Sequence, residues 1–178
     1  MQRPYDLAEH RRFIADIYDL TRALDPTRPI NDTSGYIHVK TDLWTVHMYR
    51  KTPEELGALL NTEPVYSSYP EEEAGAYRGQ PYLIDEYGGI KFIPKGRRAF
   101  ADNSWGYCEA ATPREAAKQI ADLTRVILDN PKLVGYCYTQ LTDVEQEQNG
   151  IYNYDRTPKF NARTIRRIFA EKPEWSEY

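Results

Sequence analysis

The segment Tyr82 to Gly89 reads YLIDEYGG: an apolar run ends on two adjacent carboxylates, Asp85 and Glu86, followed by an aromatic and a glycine pair. A buried strand can finish on any polar residue, so the acidic pair acquires meaning only from what accompanies it. Polar groups end other apolar runs in the same manner. They are Asn31-Asp32, His47 and Tyr49 in TVHMY, and Gln140 with Asp143 and Glu145 beyond LVGYCYTQ. Parallel α/β architectures collect their binding and catalytic groups at the C-terminal ends of strands, and four such ends in succession is the pattern of a catalytic rim. The three histidines, His10, His38 and His47, lie on different segments without zinc-ligand spacing, so no metal centre is expected. No GxGxxG or GxxxxGK loop is present, and no cofactor is implied.

The elements that must position these residues alternate in type. Tyr5 to Leu24 carries Leu7, Phe13, Ile14, Ile17, Tyr18, Leu20 and Leu24 at mixed three- and four-residue spacings and predicts an amphipathic helix ending at Asp25-Pro26. A short segment around Arg28 to Asp32 supplies one strand end, and Leu43 to Tyr49, rich in β-branched and aromatic residues, predicts a strand. Thr52-Pro53-Glu54-Glu55 and Thr112-Pro113-Arg114-Glu115 combine an N-cap hydroxyl, proline at the first helical position and acids in the first turn. They open helices reaching about Asn61 and Asn130-Pro131. Pro81 to Glu86 is a further strand, and Gly88 to Ala111 is a long connection without periodicity, of the kind that is usually functional. Leu133 to Leu141 reads as a strand buried on both faces, with Cys137 as a small core residue, and Asn161 to Glu171 as a last helix. This order predicts one α/β domain over residues 1–178 built on four parallel strands with helices on the outer face.

Composition narrows the function classes. Hydrophobic residues at 40% and charged residues at 28% suit a globular chain, while 15 tyrosines and three tryptophans exceed what folding requires and fit a ligand-lining role. A net charge of −4 argues against nucleic acid, which demands clustered Lys and Arg. Lys95 to Arg98 and Arg163 to Arg167 are short basic runs that read as solvated surface. Two cysteines imply no disulfide framework. No run approaches the roughly 20 apolar residues of a membrane helix, and the N-terminus lacks signal-peptide character, so a soluble chain is expected.

The segments TRPINDTSGY, TVHMY, YLIDEYGGI, SWGY and VGYCYTQLTDVEQEQNGIYNYDRTPK resemble the C-terminal half of the catalytic (β/α)8 barrel of glycoside hydrolase family 2, which includes β-galactosidases, β-glucuronidases and β-mannosidases. The likeness runs through nearly the whole chain. It implies half of a TIM barrel. It also implies that Glu86, in the Glu-Tyr motif at the end of the seventh barrel strand, is the nucleophile, and that Tyr49 is the tyrosine that hydrogen-bonds it. Bonds of that kind favour the charged form. The plainer reading of Tyr49 is one more rim aromatic. His47 resembles a position that helps recognise sugar hydroxyls, and it is equally readable as a hydrogen-bonded inward residue. Asn31, Asp32 and Gln140 fall on the substrate rim, Trp105 and Tyr138 offer aromatic faces for a pyranose ring, and Trp44 reads as core. Asp85 would point to the opposite face of a regular strand.

Retaining glycosidases need two carboxyls roughly 5–5.5 Å apart, a nucleophile and an acid/base. The family's acid/base is the glutamate of an Asn-Glu dipeptide, and nowhere in this sequence does Glu follow Asn. The resemblance therefore implies a fragment of a retaining β-glycosidase, β-galactosidase-like by prior, that carries the nucleophile without the acid. Jelly-roll and immunoglobulin-like domains and four barrel strands would lie outside it. A β-linked glycoside is the implied substrate, and a second copy or the missing N-terminal half the implied partner. Two alternatives differ in class: a non-catalytic carbohydrate-binding or assembly module, and an unrelated doubly wound α/β protein, which the missing phosphate loop disfavours.

Overall fold

A computed structural model describes residues 7–71, 75–97 and 103–175. The chain is a mixed α/β fold whose strands pair in parallel. In chain order it comprises α1 (Leu7–Leu24), β1 (Trp44–Met48), α2 (Pro53–Leu60), β2 (Tyr82–Gly88), β3 (Ile90–Lys91), β4 (Cys108–Glu109), α3 (Pro113–Leu128), β5 (Leu133–Thr139) and α4 (Ala162–Phe169). The main sheet has the order β1-β2-β5, and β3 and β4 pair in a second, two-stranded one. The expected start of the first helix at Tyr5 and Asp6 lies outside the described residues.

Both predicted capping sequences work as read. Thr52 and Thr112 accept from the amides of Glu55 (3.2 Å) and Glu115 (3.1 Å). The two glutamates reach back to the amides of Lys51 (3.0 Å) and Ala111 (2.9 Å), so orphan donors at each helix start are satisfied reciprocally. The helices then present apolar faces to one side of the sheet. Trp44, Val46 and Met48 of β1 and Tyr82, Ile84 and Tyr87 of β2 pack with Leu56 and Leu60 of α2 and Ile120, Leu123 and Ile127 of α3 in a continuous core. Burying side chains of this size contributes roughly 1.5–3 kcal/mol each.

Three expectations are corrected. The segment around Arg28 to Asp32 is not a strand. Ile30 closes instead on Asp42, whose amide and carboxylate bond its carbonyl (2.9 Å) and amide (2.8 Å), and this takes the backbone groups that a ladder needs. β5 is not buried on both faces: among the described strands it pairs with β2 alone, and at this sheet edge Val134 is 65% exposed and Cys137 is exposed rather than core. α1 buries only Ile14, and Phe13, Ile17, Leu20 and Leu24 of its apolar stripe face outward. Polar bonds hold it, from Tyr18 and Arg22 to Asp42 and from Lys40 to Asp19.

The 31–39 loop, which has little regular structure, is fixed by a buried pair. The Asp32 side chain is fully buried, 2.7 Å from His38 Nδ1, and accepts from the amides of Val39 (2.6 Å) and Lys40 (3.1 Å). His38 Nε2 in turn meets the Thr45 carbonyl at 2.9 Å. Burial raises the Asp32 carboxyl, but the His38 and amide bonds outweigh it and hold the group below its ordinary value. Its stabilisation is therefore complete above the unfolded value of about 3.9 and is lost as pH falls through the lower folded one. Asp32→Asn is expected to cost about 1–3 kcal/mol near neutrality. The difference from the parent in urea denaturation should persist down to about pH 4 and close below it; a gap that does not depend on pH contradicts the ionised pair.

Candidate active site at the end of strand β2

Asp85 and Glu86 sit where β2 departs from regular pairing. His47 of β1 is opposite Glu86 while the preceding Val46 is opposite Ile84, so Asp85 is an extra residue on the β2 side. Against β5 the register also shifts between Ile84 and Tyr87. A bulge re-aims side chains, and here it brings both carboxylates to one imidazole. His47 Nδ1 is 3.3 Å from Glu86 Oε2 and His47 Nε2 is 3.7 Å from Asp85 Oδ1. The expectation that Asp85 faces away from Glu86 fails for this reason.

Glu86 accepts a 2.6 Å bond from the Tyr49 hydroxyl, just past β1. Its side chain keeps 36% of its surface, so one flank of the carboxylate is open. Burial first, and then the bond to Glu86, push the Tyr49 phenol far above its ordinary value, and it stays a neutral donor at any physiological pH. Tyr49 is itself clamped: its ring stacks on Tyr107 with centroids 3.5 Å apart and planes 10° apart. Trp105, 46% exposed, stands edge-on to Tyr107 at 5.7 Å. The Tyr107 phenol is raised by burial and by the negative charges of Glu147 and Glu86. Trp105, Tyr107 and Tyr49 thus form a row of aromatic rings ending on the Glu86 carboxylate.

His47 is held from both sides. Its Nε2 is 3.1 Å from Ser34 Oγ, and that hydroxyl donates to Asp85 Oδ2 at 2.8 Å. Gly35 lies so close that any Cβ there would overlap the imidazole ring, so this position in the loop requires glycine. The buried Asp85 Oδ1 has no hydrogen-bond partner, leaving an acceptor free within the site.

The other expected rim residues divide. Asn31 accepts from Thr45 Oγ1 at 3.3 Å, and the fully buried Asp32 carboxylate is committed to the loop behind His47. Neither is brought to Glu86. Gln140 donates to Asn149 Oδ1 at 2.8 Å and braces the loop after β5. Tyr138 packs into the core against Tyr87 and Phe169, with its hydroxyl toward the Asn149 carbonyl, so it presents no face to a sugar. Asp143 pairs with the buried Lys159. Sequence reasoning missed Tyr107, Ser34 and Gly35; the one available signal was Tyr107's place two residues after Trp105 in SWGY. Among the described residues no group of three or more His, Cys, Asp or Glu is placed to hold a metal, and no helix is long and apolar enough to cross a membrane.

No protein-family model matches this sequence, and no curated protein does. Solved structures do. The chain is similar to a GH2 β-galacturonidase from Eisenbergiella tayi bound to glycerol, at 16% identity and a TM-score of 0.61, covering 95% of this chain and 32% of that one. It is also similar to Bifidobacterium dentium β-glucuronidase complexed with coumarin-3-O-glucuronide, at 18%, 0.59, and 93% and 28% coverage. For Dictyoglomus thermophilum β-D-glucuronidase the values are 18%, 0.57, and 93% and 30%. This is a GH2-like fold. The chain spans about a third of the length of these structures.

The glycine pair that closes YLIDEYGG shapes the aromatic row. Gly89 has φ of +63°, and a Cβ there would lie 2.5 Å from Tyr107 Cδ2 and 3.0 Å from Tyr49 Cδ1. Gly89→Ala is expected to force the rings apart, cost about 1–3 kcal/mol and reduce the near-UV circular dichroism of the stacked tyrosines. An unchanged spectrum and stability would show that the row tolerates a side chain there.

Proposed function

We propose that this chain is the C-terminal half of a family 2 glycoside hydrolase barrel and carries the nucleophile of a retaining β-glycosidase. The observation that carries the reading is the Glu86 carboxylate at the C-terminal end of the central parallel strand, held by the Tyr49 hydroxyl at 2.6 Å and open on one flank. The GH2-like fold and the glycosidase activities named for its structural neighbours support it.

In this reading the Glu86 oxygen attacks the anomeric carbon as the glycosidic C–O bond breaks, forming the covalent glycosyl-enzyme that water later hydrolyses. Tyr49, kept neutral by burial, orients the carboxylate throughout. His47 bridges Glu86 to Ser34 and Asp85, and so fixes the nucleophile. Trp105 gives the pyranose an aromatic wall. The departing oxygen needs a proton, and Asp85, tied to Ser34 and His47, is not offered to it. That acid comes from outside this sequence.

A partner follows from the same reading. The exposed stripe Phe13, Ile17, Leu20 and Leu24 on α1 and the unpaired edge of β5 favour association, with either the missing barrel half or a second copy. Light scattering at micromolar concentration should return a mass above the monomer's; monomer mass alone contradicts a self-associating chain.

The chain alone should hydrolyse ordinary glycosides almost undetectably, because general acid catalysis is typically worth 10²- to 10⁴-fold, about that loss here. Activated nitrophenyl β-glycosides, the β-galactoside among them, should react first. Adding the remaining barrel of a parent enzyme should restore turnover, and Glu86→Gln should abolish it, since an amide cannot serve as the nucleophile. Full activity from the chain alone, or restored activity that survives Glu86→Gln, overturns the assignment.

A further inference from the structure

A cavity whose described lining does not include Glu86 lies between the segment after β3 and the connection from β5 to α4. Its volume is about 1000 Å³. The backbone of Trp105 divides the two regions: its amide and carbonyl pair with Gln146 O (2.9 Å) and Gln148 N (3.2 Å), while its ring lies on Tyr107 toward Glu86. Asp143, Gln148 and Asn153 line the far side, each only 6% exposed, and each retains unused hydrogen-bonding capacity. Gln148 makes no side-chain bond among the described residues, and its amide is not among the fully enclosed unsatisfied groups, so it is open to the cavity. Asp143 uses Oδ1 for Lys159 and the Gly150 amide and leaves Oδ2 free. Asn153 donates through Nδ2 to Thr157 and leaves its carbonyl oxygen free.

The lining selects the ligand. The free atoms of these three buried residues are one amide with both donor and acceptor, a carboxylate oxygen and an amide oxygen, a set that matches hydroxyls able to donate and accept. Arg97, the one cation among the described lining residues, is engaged with Asp155 at 2.8 Å and Thr157 at 3.0 Å, and Lys159 behind Asp143 is engaged with that carboxylate and two backbone carbonyls. An anion finds no free positive partner among them. Tyr154, 70% exposed at the cavity, supplies an aromatic face of the kind that packs on sugar rings.

We infer that this cavity is a separate binding site for a neutral saccharide, built on Gln148, Asp143, Asn153 and Tyr154, and independent of any catalytic role for Glu86. The test is titration of the full chain with lactose, a neutral disaccharide, followed by saturation-transfer NMR and calorimetry. Saturable binding should persist in Glu86→Gln. It should weaken about tenfold or more in Gln148→Leu, which removes the idle amide, and about three- to tenfold in Tyr154→Ala, which loses one ring contact. Tyr154 is exposed, so its variant decides the matter should Gln148→Leu fail to fold. Absence of saturable binding, equal affinity in both cavity variants, loss of binding in Glu86→Gln alone, or glucuronate binding as tightly as lactose would each overturn the inference. None of these readouts depends on hydrolysis, so failure here is distinct from failure of the glycosidase reading.

Discussion

Strand β2 is paired on both sides, and the position of everything near Glu86 depends on that constraint. A central parallel strand cannot slide without breaking two ladders, and its outward residues Tyr82, Ile84 and Tyr87 are almost completely buried against α2 and α3. Against β1 the register shifts only at Asp85, and against β5 it shifts at the start of the strand, between Tyr82 and Leu83, and again across the two carboxylates. The rest of the strand therefore anchors a short distorted stretch, which is how a rigid sheet presents two neighbouring acids to one imidazole.

Around that fixed carboxylate, the remaining parts act as supports. The buried Asp32–His38 pair secures the 31–39 loop, the loop brings Ser34 and Gly35 onto His47, and His47 reaches Glu86. From the other direction, the connection between β3 and β4 delivers Tyr107 and Trp105 onto Tyr49. Polar supports of this type are fully committed to one another, which limits rotamer freedom at the site before any ligand arrives. The open flank of Glu86 is what remains for a substrate.

The two faces of the molecule differ in completeness. The helix side of the sheet has a closed apolar core, whereas α1 and the β5 edge expose Phe13, Leu24 and Val134 to solvent. Apolar exposure of this kind is common at interaction surfaces, and the chain spans about a third of the length of the structures it resembles.

Local chemistry made much of this legible in advance. The Thr-Pro-x-Glu starts of α2 and α3 depend on groups within four residues of each other, and the strand through Asp85-Glu86, expected to end at Glu86 and running on to Gly88, on its apolar run. The same holds for Trp44 as core and Trp105 as an exposed ring, since one lies inside an apolar run and the other in a long loop. What the sequence left open was decided by partners distant in the chain. Asp85 turns toward His47 because the β1 and β5 registers impose a bulge, and Cys137 is exposed on β5, whose outer edge pairs with no described strand. Tyr138 is core rather than rim because α4 and Tyr87 close over it, and Tyr107 matters because Gly89 lets two rings from separate loops stack. Sequence spacing encodes which face a residue takes within its own element, but which element lies opposite that face is a property of the packed chain alone.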